Sequence, residues 1–445
     1  MLPPEPFLSL HPILNGTTMN KLNVLLLGGG GREHAMAWKI SQSAHLGQLF
    51  VAPGNGGTAQ VATNLGFGDS DFEEMKKAVL NHQIDLIVVG PEAPLVNGVR
   101  AFVEGDEDIN HVKIVGPGTE GAQLEGSKSF SKRFMQRHDI PTARFGEFAA
   151  DQVEEAKAFL DEFNPPYVLK ADGLAAGKGV LIMEDKEEAK QELDEMLLGG
   201  KFGAAGAKVV IEEFLSGIEL SVFVLTDGED YILLPEAKDY KRIGEGDQGL
   251  NTGGMGSISP VPFAQGDFMN KVIDRIVEPT VKGWKEDGIE YNGFLFVGLM
   301  NVDGDPYVIE YNCRMGDPET ESVMPRIKSD FLELLWKCGN RDMKGATIEF
   351  DERTATCVMA VSGGYPGSYE KGKEITGVDE VYDSLVFHAG TKLSDGKLLT
   401  SGGRVIAFTS MGSNMQEALA KSYASLDKIT FDMIYYRKDI GFDLK

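Results

Sequence analysis

The sequence is short of cysteine, of positive charge and of long apolar runs. Only Cys313, Cys338 and Cys357 stand among its 445 residues. None has the spacing of a metal knuckle or a CxxC pair, so neither a disulfide framework nor a cysteine-held metal is expected. Three scattered thiols fit a reducing, cytoplasmic compartment. No stretch is apolar for long enough to span a bilayer, and no membrane partner is expected. Lysine and arginine number 43 against 68 aspartates and glutamates, a formal net charge of -25. A chain this acidic repels nucleic acid and anionic membrane surfaces as a whole. Any phosphate it binds must be met locally, by basic residues, backbone N–H groups and metal ions. There is no internal repeat, and no low-complexity segment beyond the N-terminus.

What is abundant is glycine, 54 residues of it. It gathers in loops, which suits a backbone that approaches ligands closely. The length predicts several domains. Met1 to Thr18 is proline-rich and lacks periodicity and signal-peptide features. It is expected to be a disordered leader, with Met19 the natural start.

From residue 19 to about 122, apolar runs end in glycine-rich turns. Asn23–Leu27 runs into Gly28-Gly-Gly-Gly31, Leu49–Ala52 into Pro53-Gly-Asn-Gly-Gly57, Ile84–Val89 into Gly90-Pro-Glu92, and Lys113–Val115 into Gly116-Pro-Gly118. Helices are predicted at Glu33–Ser41, Phe72–His82 and Val96–Val103. Alternating strands and helices predict a parallel α/β sheet with its ligand loops at one edge. After a helix over Ser127–His138, residues 123–344 read as α+β. Strands are predicted at Tyr167–Ala171, Val180–Met183, Val209–Glu213, Leu220–Thr226 and Tyr231–Leu234, and Asp227-Gly228 and Asp303-Gly304 are hairpin signals. Residues 345–445 form a third, strand-rich unit, with strands at Ala355–Val361, Val386–Ala389 and Arg404–Thr409 and a helix over Met415–Ile429.

Gly28-Gly-Gly-Gly-Arg-Glu-His34 fits a dinucleotide fingerprint poorly. The third glycine falls at Glu33, and the next strand ends in Pro53-Gly54 instead of an acidic residue. The turn still suits a phosphate-bearing ligand, with Arg32 adding charge. Each loop alone reads equally as a sharp turn; three converging at one edge favour a small polar ligand. Lys170-Ala-Asp-Gly-Leu-Ala-Ala-Gly-Lys-Gly179 is no Walker A loop, since Gly179 stands where a metal-binding Ser or Thr is needed. Its lysines suggest a lid over a polyphosphate, against an even alternative of a hairpin with solvated lysines. Glu212-Glu-Phe-Leu-Ser-Gly-Ile-Glu219 closes a strand whose edge can pair with an adenine rim, with Glu219 on the ribose; for any single glutamate a surface-facing acidic turn is the better reading. Lys238-Asp-Tyr-Lys-Arg242 and Asn251-Thr-Gly-Gly-Met-Gly256 make a basic cluster beside a glycine-rich loop, either an anion pocket or a long exposed loop. In Tyr307-Val-Ile-Glu-Tyr-Asn312, Glu310 and Asn312 share one strand face. Two hard oxygen ligands suit magnesium, and Arg314 follows, able to fork onto a carboxylate.

Together these segments, with Arg314-Met-Gly-Asp-Pro-Glu319 and Tyr436-Arg-Lys-Asp-Ile-Gly441, resemble the ATP-grasp family and within it the glycinamide ribonucleotide synthetases. The resemblance runs from about Met19 to the end. It implies a parallel α/β domain (19–122), an ATP-grasp domain (123–344, with a lid subdomain at about 143–214) and a C-terminal domain (345–445). It also implies ATP-dependent ligation of glycine to 5-phosphoribosylamine through glycyl phosphate, with Mg2+ or Mn2+, in a cytoplasmic monomer or weak homodimer. Lys128, Lys170 and Lys178 would then meet phosphates. Glu212, Glu213 and Leu215 would hold adenine and Glu219 the ribose. Glu310 and Asn312 would hold the metal, and Arg314 and Asp239 would hold glycine. Gly30, Gly31, Arg32, Glu33, Asn55, Gly56, Glu92, Lys241, Arg242, Asn251, Gly253 and Gly254 would hold phosphoribosylamine. Arg314, Lys170 and Asp239 are the expected catalytic residues. One departure stands out. The strand before Glu310, Phe294-Leu-Phe-Val-Gly-Leu-Met300, offers no further acidic metal ligand.

Overall fold

The computed structural model describes residues 21–174, 179–201, 203 and 208–444. The expected leader and Lys178 lie outside them. The first unit comprises β1 (Leu22–Gly28), α1 (Gly31–Ile40), β2 (Leu46–Pro53), β3 (Thr63–Asn64), α2 (Phe72–His82), β4 (Leu86–Val89), α3 (Glu92–Val96), α4 (Val99–Gly105) and β5 (Lys113–Val115). Its sheet is wholly parallel, in the order β3-β2-β1-β4-β5. A parallel sheet must be covered on both faces, which is why β1 is apolar at nearly every position. Leu25 and Leu27 pack with Met75 and Val79 of α2 and Val103 of α4. Val24 and Leu26 face the other way, towards Ala35 and Met36 of α1. The helix expected over Val96–Val103 is broken in two. Gly98 takes a left-handed φ of 87° between α3 and α4, a conformation that interrupts an α-helix.

Two helices, α5 (Thr119–Gly126) and α6 (Lys128–Arg137), lead into the central region. One of its sheets holds β6 (Phe145–Ala149), β7 (Tyr167–Ala171), β8 (Val180–Met183) and β9 (Lys208–Glu212), ordered β6-β9-β7-β8. Helices α7 (Val153–Leu160) and α8 (Lys186–Leu197) close a small separate core over it. A second antiparallel sheet holds β10 (Ile218–Thr226) and β11 (Tyr231–Leu233). After short strands β12 (Lys238–Asp239), β13 (Arg242–Gly244), β14 (Gln248–Asn251) and β15 (Gly256–Ser259) and the helical stretch α9 (Asp267–Val272) to α10 (Glu278–Asp287), it is completed by β16 (Gly293–Val302) and β17 (Asp305–Asn312). The order is β11-β10-β16-β17, so β17 is an edge strand, and both expected hairpin turns fall where the strands reverse.

Helices α11 (Glu319–Val323) and α12 (Phe331–Gly339) lead to the last unit. There β18 (Thr354–Val361), β19 (Leu385–His388), β20 (Thr391–Ser394), β21 (Lys397–Thr400), β22 (Arg404–Gly412) and α13 (Met415–Leu426) follow. Its main sheet runs β12-β15-β18-β22-β19. Two of its five strands therefore come from the central region, which ties the Lys238–Gly256 stretch to the C-terminal residues. No helix among the described residues is long and apolar enough to cross a membrane.

Candidate active site

The first group of site residues lies where α6 meets the ends of β7 and β9. Ser127 caps α6, and Asp172, just past β7, accepts from Ser129 N (2.6 Å) and Ser127 Oγ (3.0 Å). This brings Lys128 over the loop after β7, where its Nζ donates to Gly173 O at 3.3 Å. Lys170 is buried, with Nζ 2.9 Å from Glu212 Oε2 and 3.3 Å from Ile309 O. Lys132, one turn along α6 from Lys128, reaches the same Glu212 oxygen at 3.0 Å and Thr142 Oγ1 at 2.7 Å. Burial alone would raise the Glu212 pKa, but the two ammonium groups hold it below the usual carboxylate range. Burial pushes Lys132 down to about 8. Both lysines thus meet Glu212 Oε2, while its Oε1 is buried without a hydrogen-bond partner among the described residues. Beyond the end of β9, Glu213 N donates to Arg144 O (2.9 Å), and Leu215 is half-buried.

The second group lies at the end of β17. Gly298 of β16 sits opposite Glu310 and has no side chain to crowd it. Burial would raise the Glu310 pKa; Lys241, Lys170, Lys128 and Arg314 outweigh it and keep the group ionised. The Glu310 carboxylate makes no hydrogen bond or ion pair among the described residues. Asn312 is buried. Its Oδ1 accepts from Arg314 Nη2 at 3.1 Å, while its Nδ2 has no partner among the described residues. A carboxylate without a protein partner, beside an amide oxygen with a second lone pair, fits a hard divalent cation. Arg314 is gripped in turn: Nη2 lies 2.7 Å from Glu125 Oε1, and Nε 3.4 Å from Glu92 Oε2. That Nε is a buried donor without a hydrogen-bond partner among the described residues. Glu125, from α5, also accepts from Cys313 N at 2.8 Å.

A third group joins these. Lys241 Nζ is 2.6 Å from Glu219 Oε2. These two residues were expected on different ligands, yet they touch. The Lys241 charge holds Glu219 below the carboxylate range. Burial and the neighbouring Glu219 raise Asp239 against the pull of Lys241. Glu319, at the start of α11, accepts from Ser221 Oγ at 3.2 Å and is pushed up to about 8 by burial and by Asp239.

The first-unit loops close the other side. Glu33 Oε2 accepts from Gly30 N (2.7 Å), and its Oε1 lies 2.5 Å from Arg32 Nε. Arg32 Nη1 reaches Met315 O at 3.2 Å, bringing the Gly30–Gly31 turn beside Arg314. Asn55 is an internal tie. Its Nδ2 donates to Gly29 O, Gly30 O and His388 O, and its Oδ1 accepts from Gly57 N and Thr58 N. Gly56 packs against Thr391 and Leu398. In the loop between β14 and β15, Gly253 N donates to Tyr365 Oη (3.0 Å), Gly253 O accepts from Arg404 Nη1 (2.5 Å), and Gly254 has a φ of 120° against Pro318. Arg242 pairs with Asn251 across β13 and β14, and its exposed Nη1 donates to Gly249 O at 2.8 Å.

Sequence reasoning missed Lys132, Glu125 and the raised pKa of Glu319. Lys132 carried a readable signal, since it stands four residues from Lys128 on one helix face. Glu125 carried none: its partners are 188 and 189 residues away.

Three matches cover almost the whole of this arrangement. Residues 22–125 match the N domain of phosphoribosylglycinamide synthetase, 126–320 its ATP-grasp (A) domain and 355–443 its C domain. The chain belongs to the phosphoribosylglycinamide synthetase family. It is 44% identical to a phosphoribosylamine–glycine ligase of Caldanaerobacter subterraneus subsp. tengcongensis, over 94% of this chain and 99% of that one. It is 47% identical to the ligase of that name from Salmonella typhi, over 94% and 98%. A crystal structure of phosphoribosylamine–glycine ligase from Thermotoga maritima superposes with a TM-score of 0.80 at 37% identity, covering 94% of this chain and all of that one. A biotin carboxylase from Campylobacter jejuni shares the fold, with a TM-score of 0.70 at 18% identity over 95% and 94%. The ATP-grasp architecture expected from the sequence is therefore present, with the parallel N-terminal sheet and strand-rich C-terminal unit in their expected places.

Proposed function

We propose that this chain ligates glycine to 5-phosphoribosylamine, converting ATP to ADP and phosphate and giving glycinamide ribonucleotide, a step of purine biosynthesis. Family membership across all three domains supports the activity. One observation supports the site: Lys128, Lys170, Lys241 and Arg314 all surround the unpaired Glu310 carboxylate.

Lys128 and Lys170, with Lys178 of the lid, meet the polyphosphate, and the strand edge from Glu212 to Leu215 meets adenine. Glu219 takes the ribose. Glu310 and Asn312 hold magnesium, or manganese in its place. When bound, that ion supplies charge neutralisation at the transferring phosphoryl oxygens. Arg314, whose Nε lies 3.4 Å from Glu92 Oε2 without a hydrogen-bond partner among the described residues, receives the glycine carboxylate, and Asp239 its amine. Lys241, Arg242, the Asn251–Gly254 loop and the first-unit turns with Arg32, Glu33, Asn55, Gly56 and Glu92 form the phosphoribosylamine side. A glycine carboxylate oxygen attacks the γ-phosphorus and ADP leaves. The amine of phosphoribosylamine then attacks the acyl carbon of glycyl phosphate and expels phosphate. No protein nucleophile takes part, and the work is positioning and charge stabilisation. The units divide at residues 122 and 344, and the enzyme works in the cytoplasm as a monomer or weak homodimer, without nucleic-acid or membrane partners.

Coupled measurement of ADP release tests the activity. ADP should form at full rate only with ATP, glycine and 5-phosphoribosylamine together; full turnover without either acceptor or acid sinks the reading.

A further inference from the structure

The motif Tyr436-Arg-Lys-Asp-Ile-Gly441 has no place among the proposed ligand contacts, yet it contains one of the largest fully buried side chains, Arg437, at 0% exposure. Its guanidinium lies against the basic segment of the central region. Nη1 donates to Arg242 O (3.1 Å) and lies 2.6 Å from Asp247 Oδ1. Nε and Nη2 fork onto Asp439, each at 2.8 Å. The guanidinium also sits 5.4 Å from the centroid of the Tyr240 ring. Further bonds run the same way. Tyr435 Oη donates to Ile243 O (2.9 Å), Asp439 Oδ2 accepts from Gly246 N (2.7 Å), and Asp443 takes Tyr240 Oη (2.8 Å) and Lys238 Nζ (3.1 Å).

These contacts bracket Lys241. Its preceding neighbour, Tyr240, is held by Asp443 and by the Arg437 face; its following neighbour, Arg242, is held by Arg437 at the carbonyl. The β13–β14 hairpin beyond has two paired positions and a register irregularity between them. A two-stranded ribbon of this kind is marginal without outside support. Residues 435–443 supply that support, and Lys241 then projects 2.6 Å from Glu219 and into the field of Glu310 and Asp239.

We propose that residues 435–443 are a C-terminal strap, with Arg437 a positioning residue that sets Lys241 and the β13–β14 hairpin for the amine-bearing sugar phosphate. The strap touches no substrate. It acts through the backbone on either side of Lys241, and so links the C-terminal unit to the ligation step. This rests on the reading that Lys241 and its hairpin serve phosphoribosylamine.

The test uses the full-length chain and compares Arg437→Met, Arg437→Lys and the milder Tyr435→Phe. KM and kcat are measured with 5-phosphoribosylamine varied, and ATP affinity by equilibrium binding. Arg437→Met should raise KM for 5-phosphoribosylamine about tenfold or more, since small misplacements of binding groups are costly. ATP affinity should fall clearly less than KM for 5-phosphoribosylamine rises, because Lys128 and Lys170 do not touch the strap and only Glu219, through Lys241, links it to the nucleotide. Arg437→Lys should recover part of the loss by restoring the charge. If Arg437→Met does not fold, Tyr435→Phe decides, with KM expected to rise about two- to threefold through loss of one hydrogen bond. Unchanged KM in the folded variants overturns the proposal, as does an equal loss of ATP affinity, which marks a structural role only. Wild-type turnover without phosphoribosylamine would sink the functional reading instead, so the two failures are distinguishable.

Discussion

Four cations face the Glu310 carboxylate, and among the described residues no hydrogen bond ties it down. Elsewhere in the site Glu212 is bonded to two lysines, Glu125 to Arg314 and Glu219 to Lys241, whereas the buried Asp239 carboxylate, like that of Glu310, has no hydrogen bond among the described residues. Glu310 and Asp239 are thus the acids left over for ligands, and of the two Glu310 is the one beside Asn312. The sequence shows no other carboxylate on the neighbouring strand to replace it. Glu310→Gln keeps the volume and removes the charge. Turnover should fall by about 10²- to 10³-fold, the loss typical of a group that stabilises transition-state charge. ADP-release rates on a variant with unchanged circular dichroism check this; near-wild-type turnover would remove Glu310 from the centre of the account. The pairing of Glu310 with Asn312 and Arg314 was legible because strand alternation fixes which side chains share a face. The grip of Glu125 on Arg314 was not, because it depends on where α5 docks in three dimensions.

At the scale of elements, the junction of α1 with β19 carries a pH dependence. His34 and His388 are buried there, and His34 Nδ1 accepts from His388 N at 2.8 Å. Burial, and for His34 also the neighbouring His388, lowers their pKa values from 6.5 to about 3 and about 4. The folded state therefore keeps both rings neutral at pH values where the unfolded chain binds protons. Stability is full above pH 6.5 and is lost as pH falls towards 4. Between pH 7.5 and 5.5 the two rings should together remove about 3 kcal/mol of unfolding free energy. Urea unfolding across that range measures it. His34→Asn retains an acceptor but does not titrate, and should halve the histidine part of the slope; an unaltered slope contradicts the assignment. Elements were readable where apolar runs end at glycine, as in β1, β4 and β7. They were unreadable where tertiary contacts decide. Helix α5 holds Gly121 and Gly126 and shows little periodicity, and it is held by Glu125 bonding across to Cys313 N and Arg314. The break at Gly98 was similarly invisible, because glycine within an apolar pattern reads as a tolerated interruption as easily as a stop.

Across the whole molecule, three units converge on one charge cluster. The first contributes Arg32 and Glu92, and the central unit Lys128, Lys170, Lys241, Glu310 and Arg314. The last contributes no proposed ligand residue but holds the loops, through Arg404, Tyr365 and Arg437. Such a division suits an enzyme that must assemble three substrates and keep water from an acyl phosphate. The central claim is that the γ-phosphoryl group passes to the glycine carboxylate before the amine attacks. Glycine labelled with ¹⁸O at both carboxylate oxygens, turned over with ATP and 5-phosphoribosylamine, tests it most directly. One labelled oxygen should appear in the released phosphate for each glycinamide ribonucleotide formed; phosphate released without label would contradict the mechanism.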